Sequence, residues 1–259
     1  MTKRLLIIPA AGLGSRLQAD TPKLLYPVNG RPMLDYLFEL YAPVVSRFVL
    51  VLHPAAIERV KAHCANLGLP VDFEVQESPT GMLDAILIPT ERVRQHQPDQ
   101  IWITWCDQVA VHPRTIRRLA EMAGEADAAM VMPTASKPEP YIHFERNELG
   151  DIVGLKQRRE ADDMPELGEG DLGLFCLTRA AYLDLLPRFS REAVTGSATQ
   201  ERNFLPFIPW LAGQQQRVRT FPAHAEIETI GINTKADLKL IETYLANGHQ
   251  QTFRHHPGI

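Results

Sequence analysis

The chain has 259 residues, 45% of them apolar, which suits one large α/β domain with its own hydrophobic core and at most a modest second lobe. Lysine and arginine total 27 against 31 aspartates and glutamates, a formal net charge of -4; no global positive field exists to attract a nucleic-acid backbone or an anionic membrane, and any phosphate must be held locally. Cys64, Cys106 and Cys176 are widely separated, odd in number and outside any C-x-x-C spacing, which argues against a disulfide framework or structural zinc and fits a reducing, cytoplasmic setting.

The first apolar run, residues 5–8, ends at Pro9 and Gly12, too early for an export signal, and reads as a buried strand. No later run approaches the roughly 20 apolar residues of a bilayer span. Similar Val/Ile/Leu runs at 48–52, 71–75, 101–105 and 128–132 alternate with amphipathic patterns at 32–41, 55–67, 82–94 and 113–125. This alternation predicts an α/β fold with a mostly parallel central sheet and helices on both faces, because each crossover needs a helix to return the chain to the same edge. Ligands are then expected at the carboxyl ends of the strands. Beyond residue 135 the pattern changes to an α+β extension. Short alternating segments at 141–145 and 151–156 flank Asn147-Glu148-Leu149-Gly150, a hairpin turn; a strand at 172–178, helices at 180–186 and 203–211, a strand at 218–221 and a closing helix at 235–245 follow. The polar stretch 157–170, which contains Pro and Gly, is expected to be a mobile loop, and the tail 249–259, with His255-His256, to fray.

Directly after the first strand stands Ala10-Ala11-Gly12-Leu13-Gly14-Ser15-Arg16, then Thr21-Pro22-Lys23. Glycines leaving a strand let backbone N–H groups face outward, and several such donors in one turn cradle phosphate oxygens. A Walker A loop would put Lys and Ser/Thr right after its last glycine, where Ser15-Arg16 stands. A dinucleotide fingerprint would need a small residue at Leu17 and an acidic one near His53. What fits is a loop of donors, Ala10, Ala11, Gly12, Gly14 and Ser15, with two cations that fold over one ligand. Displacement at an α-phosphorus loads negative charge onto nonbridging oxygens and pyrophosphate, so catalysis there is mainly electrostatic. Lys23 suits the α-phosphate as a point charge, and Arg16 suits the β- and γ-oxygens as a fork.

The run Pro9-Ala10-Ala11-Gly12-Leu13-Gly14-Ser15-Arg16-Leu17, with Pro22-Lys23 and Gly30-Arg31-Pro32-Met33-Leu34, resembles the signature of the sugar-phosphate nucleotidyltransferase family, of Rossmann-like GT-A-type fold. Its pattern is most similar to the uridylyltransferase domains of that family, without the hexapeptide-repeat acetyltransferase domain that accompanies them. The resemblance implies one NTP-transferase domain over 1–247, with a nucleotide-binding half at 1–135, an acceptor-binding half at 136–247 and a tail at 248–259. It also implies Mg2+ as cofactor and, as partners, a nucleoside triphosphate and a small phosphorylated acceptor; self-association is left open.

Gln76-Glu77-Ser78-Pro79-Thr80-Gly81 after the third strand resembles the family's base-binding segment. An amide both donates and accepts, so Gln76 can read a pyrimidine edge, with Gly81 letting backbone approach the base and Thr80 either alongside it or capping the next helix. Met82 replaces the polar residue usual there. Asp107, in Trp105-Cys106-Asp107-Gln108, leaves the carboxyl end of a central strand and resembles the family's metal carboxylate, since magnesium takes one or two protein oxygens and keeps water and phosphate ligands. Cys106 has no neighbouring His to activate it and reads as packing. Thr234-x-x-Asp237 is a capping box that opens the last helix. Gly231-Ile232-Asn233 resembles a Gly-Val-Asn element whose Asn helps hold magnesium, which makes Asn233 the second ligand; Glu228 would touch acceptor or metal, or be a solvated strand residue.

On the acceptor side, Pro140-Tyr141-Ile142-His143 stands where the family carries Pro-Tyr-Gly-Arg, and Gln157 stands near a family Glu. Glu169-Gly170-Asp171-Leu172-Gly173 resembles the sugar-binding Glu-Ile-Asn-Thr-Gly, with Asp171 either accepting from sugar hydroxyls or forming a turn. The expected reaction is NMP transfer from UTP or dTTP to a sugar 1-phosphate. The alternatives are a cytidylyl- or guanylyltransferase acting on a non-sugar phosphate, and a catalytically silent nucleotide-binding module.

Overall fold

The computed structural model describes residues 2–12, 21–125 and 127–249. In chain order its strands and helices are β1 (Arg4–Ala10), β2 (Pro27–Val28), β3 (Arg31–Pro32), α1 (Met33–Tyr41), β4 (Arg47–Leu52), α2 (Pro54–Cys64), β5 (Val71–Val75), α3 (Met82–Leu87), α4 (Thr90–His96), β6 (Gln100–Thr104) and α5 (Pro113–Glu125), followed by β7 (Met130–Pro138), β8 (Ile142–Arg146), β9 (Ile152–Gln157), β10 (Leu167–Asp171), β11 (Leu174–Thr178), α6 (Leu186–Glu192), α7 (Phe207–Gly213), β12 (Val218–Pro222) and α8 (Lys235–Tyr244). No helix among the described residues is long and apolar enough to cross a membrane.

The alternation of short apolar runs with amphipathic helices yields the mixed, mostly parallel sheet it predicts. β1 lies between β4 and β6, parallel to both, and β5 extends the parallel block beyond β4. Beyond β6 the order continues through β11 to β7, both pairings antiparallel. Met130 of β7 pairs with Leu177 of β11 and with Val218 of β12, so β7 is flanked on opposite edges.

Both faces of the sheet are buried, which is why the strands read as continuous apolar runs. Successive residues of β1 show this: Leu6 and Ile8 pack into one core with α1, α2 and α5, while Leu5 and Ile7 pack into a second with α3, α6 and α7. The parallel strands end together, Ala10 beside Leu52 and Leu52 beside Val75. The loops after β1, β5 and β6 therefore open on the same edge.

Two expected elements differ. The single helix expected at 82–94 is two, α3 and α4, divided at Pro89, which lacks the N–H needed to continue a helix; the Thr90 hydroxyl donates to the Leu87 carbonyl at the break. The stretch 157–170 is not a loop throughout: a helical turn at Arg158–Glu160 leads to β10, whose whole length pairs with β7. A β-carbon on Gly168 would stand 2.7 Å from His143 Nδ1, and one on Gly170 2.8 Å from the Ile142 carbonyl oxygen. The glycines that suggested a loop instead let the β8–β9 hairpin lie close against a strand. The tail residues 250–259, His255 and His256 among them, lie outside the described residues.

Candidate active site

Three residues singled out in the sequence meet at the carboxyl edge of the sheet. Lys23 opens a short helical turn, Lys23–Leu25, anchored by the fully buried Leu24. Its ammonium donates to Asp107 Oδ2 at 2.6 Å and to Asn233 Oδ1 at 3.2 Å. Both side chains of the ion pair are largely enclosed, Lys23 14% and Asp107 12% exposed, so water screens their charges weakly.

Asp107 is positioned by the backbone on either side. The Trp105 N–H, at the end of β6, donates to the Gly173 carbonyl, and the Asp107 carbonyl accepts from the Ile232 N–H at 3.2 Å. Asn233 is held from both ends: its N–H donates to Asp237 Oδ2, and its side-chain Nδ2 donates to the Gly231 carbonyl, which turns Oδ1 toward Lys23. The capping box read from Thr234 and Asp237 is present, with the two side chains bonding each other's backbone N–H. Thus the cap of α8 fixes the amide. Gly231 sits against the carboxylate: a β-carbon there would stand 2.9 Å from both Cγ and Oδ1 of Asp107. Cys106 is packing, as expected, its thiol pushed up to about 11 by burial.

Of the loop after β1, Ala10 is half-buried, Ala11 is buried and Gly12 is exposed. Gly14, Ser15 and Arg16 lie outside the described residues. In the loop after β5, the Gln76 amide donates to the Gly81 carbonyl at 3.2 Å, and Thr80 is exposed. Gly81 was expected to admit a base; its φ of +131° and close approach also serve the protein, since a β-carbon there would collide with the backbone N and O of Arg202. Arg202 lies along this loop, its N–H donating to the Thr80 carbonyl and its carbonyl accepting from Leu83. Its guanidinium reaches Asp84 and Ser190.

On the acceptor side, Tyr141 is 43% exposed and Asp171 closes β10. Asp171 Oδ1 accepts from the Gly173 N–H at 2.7 Å, the turn-forming arrangement. Burial pushes the Asp171 carboxyl up to about 6, against the opposing pull of that N–H and of Lys137. Glu228 is a correction. Its side chain is fully buried, and its two oxygens accept from the backbone N–H groups of His112, at 2.9 Å, and Ala225, at 2.6 Å. It ties the segment before α8 to the segment before α5 instead of meeting an acceptor or metal.

Sequence reasoning missed Arg202 and Glu160, because neither stands in a motif. The Glu160 carboxylate is caught by the hydroxyl of Thr199, the N–H groups of Ala198 and Thr199 and the amide of Asn203, which hold it down to about 2. Arg202 and Asn203 being adjacent, one segment joins the loop after β5 to the end of the β8–β9 hairpin.

A family model described as MobA-like NTP transferase domain matches residues 6–189. "Bifunctional protein GlmU" of Mycolicibacterium paratuberculosis is 26% identical over 90% of this chain and 48% of its own length. The chain spans about half the length of the curated relatives it matches. Among solved structures, the inositol-1-phosphate CTP transferase from T. maritima superposes with a TM-score of 0.70 at 17% identity, over 96% of this chain and 98% of that one. A putative glucose-1-phosphate thymidylyltransferase from Bacillus anthracis gives 0.74 at 16% identity, over 94% and 96%. The likeness to these structures is one of fold.

Proposed function

Because the chain belongs to the MobA-like NTP transferase domain family and is a nucleotidyltransferase, we propose that it transfers the NMP unit of UTP or dTTP to a sugar 1-phosphate and releases pyrophosphate. The observation that carries this is the meeting of Lys23, Asp107 and Asn233, residues far apart in sequence, at the edge where the parallel strands end.

An acceptor phosphate is already an oxyanion at neutral pH, so no general base is needed. Its oxygen attacks the α-phosphorus, the bond from that phosphorus to the bridging oxygen of the β-phosphate breaks, and the electron pair leaves with pyrophosphate. Lys23 neutralises charge on the α-phosphate, Arg16 takes the β- and γ-oxygens, and backbone N–H groups of Ala10, Ala11, Gly12, Gly14 and Ser15 orient the triphosphate. Gln76, Thr80 and Gly81 line the base side; Tyr141 and Asp171 line the acceptor side.

The donor set fits magnesium: Asp107 and Asn233 both present hard oxygens, and both already accept from one cation. Among the described residues no group of three or more His, Cys, Asp or Glu side chains could hold a metal by itself, so the ion would depend on water and phosphate oxygens as well. When bound, Mg2+ would supply charge neutralisation across the triphosphate.

A second pairing, CTP or GTP with a non-sugar phosphate, is favoured by departures from the family pattern, among them Met82, Ile142, His143 and Gln157. Pyrophosphate release measured for the four NTPs against a panel of phosphorylated acceptors separates the two. Saturable NTP binding with no turnover for any pair would leave only the silent module.

A further inference from the structure

The ammonium of Lys23 does more than wait for a phosphate. It hydrogen-bonds both oxygens that the proposed function assigns to the metal, Asp107 Oδ2 at 2.6 Å and Asn233 Oδ1 at 3.2 Å. An ion held by those same oxygens would lie about 2 Å from each, and therefore within about 5 Å of the ammonium where it now stands. At that separation in an enclosed site the two cations repel strongly.

Charge bookkeeping points the same way. Asp107 brings one negative charge, Asn233 none and Lys23 one positive, so these three residues together are neutral and offer a dication no net attraction. Without the lysine, the Asp107 carboxylate would lose this counter-charge, beside Gly231, which lets the backbone stand against it.

From this arrangement we propose that Lys23 is an internal counter-ion that keeps the metal position closed until a triphosphate draws its ammonium away. The divalent ion then enters with the nucleotide, because the phosphate oxygens both remove the lysine from Asp107 and complete the ion's coordination. A single side chain so enforces the order in which the two ligands assemble. The inference rests on Asp107 and Asn233 being the metal ligands, and its consequence is counterintuitive: a variant crippled in catalysis binds bare metal better.

The test is a titration of nucleotide-free full-length protein with Mn2+ alone, followed by the electron paramagnetic resonance signal of the free ion. Lys23→Met is expected to bind Mn2+ on the order of tenfold more tightly than wild type, within the usual span of coupling between two sites. Lys23→Gln, which keeps polarity and loses charge, should do the same and serves if the methionine variant does not fold, as judged by its melting curve. Adding Asp107→Asn to either variant should abolish the gain. Equal or weaker Mn2+ binding by both lysine variants, with Asp107→Asn still lowering it, overturns the counter-ion role and leaves the metal ligands standing. Mn2+ binding indifferent to Asp107→Asn in every background overturns the metal assignment, and the counter-ion role with it.

Discussion

Gly231→Ala places one methyl group against the group most exposed to misplacement. The new β-carbon would stand 2.9 Å from both Cγ and Oδ1 of the Asp107 carboxylate, inside the distance real β-carbons keep, so one of the two must move by a few tenths of an ångström. The backbone of residue 231 has little room to retreat, since its carbonyl accepts from the Asn233 amide and the next N–H donates to the Asp107 carbonyl. The carboxylate, the end of a side chain, yields instead, and its bonds to Lys23 are disturbed. Because a side chain gives way, the cost in stability stays near the low end for overpacking, about 1 kcal/mol, or about 2–4 °C in melting temperature for a chain of this size. The catalytic cost is larger, since a displacement of about 1 Å in a reacting constellation costs about a hundredfold and a fraction of that displacement correspondingly less. A fall in kcat of about tenfold or more is expected, read by continuous pyrophosphate release beside a thermal melt. Wild-type kcat in a folded Gly231→Ala protein would falsify the placement of Asp107 in the reacting constellation.

The other predictions concern residues around this centre. Glu228→Ala removes a fully buried carboxylate and leaves the part-buried N–H groups of His112 and Ala225 without this acceptor, so stability should drop by about 2–4 kcal/mol; a change in acceptor KM with an unaltered melting curve would restore the acceptor contact first expected there. Glu160→Ala should lower stability by about 2 kcal/mol at neutral pH, where its carboxylate is charged and bonded to the 198–203 segment. Since its folded value, about 2, lies below the ordinary 4.5, that stabilisation is present above 4.5 and lost as pH falls toward 2; urea melts across this range should converge for variant and wild type. Asp171 has the opposite sign: its folded value near 6 exceeds the ordinary 3.8, so the charged form opposes folding and stability declines as pH rises from 3.8 through 6. Asp171→Asn should therefore melt higher than wild type at pH 7 and equal to it near pH 4; the reverse order would show that the carboxylate is satisfied as an anion.

The fold was legible because burial on both sheet faces leaves a direct trace. Leu5, Leu6, Ile7 and Ile8 are all apolar where alternate side chains enter two different cores, and the helices between strands carry the complementary faces. The capping box at Thr234 and Asp237 was equally legible, being local. What stayed hidden depends on contacts between distant segments. Nothing in Gly168-Glu169-Gly170 says whether its glycines loosen a loop or admit a hairpin against a strand; the proximity of Ile142 and His143 decides it. Likewise the Arg202 backbone that Gly81 accommodates is remote in sequence, so this packing role of the glycine was not visible.

The site lies between these extremes, and its geometry explains why three of its residues stood out. β1 and β6 are neighbours and parallel, so the loops leaving their carboxyl ends emerge side by side, which lets a lysine in the segment after the first meet an aspartate just after the second. That much follows from strand order. Asn233 needs a further step, because it lies beyond β12, at the far side of β7. It reaches the Lys23 ammonium beside the carboxylate because the Ile232 N–H binds the Asp107 carbonyl and Gly231 has no side chain to prevent the approach. The amide that accepts from Lys23 is thus held in place beside a glycine whose missing side chain allows the approach, and substitution of either should be felt at Lys23.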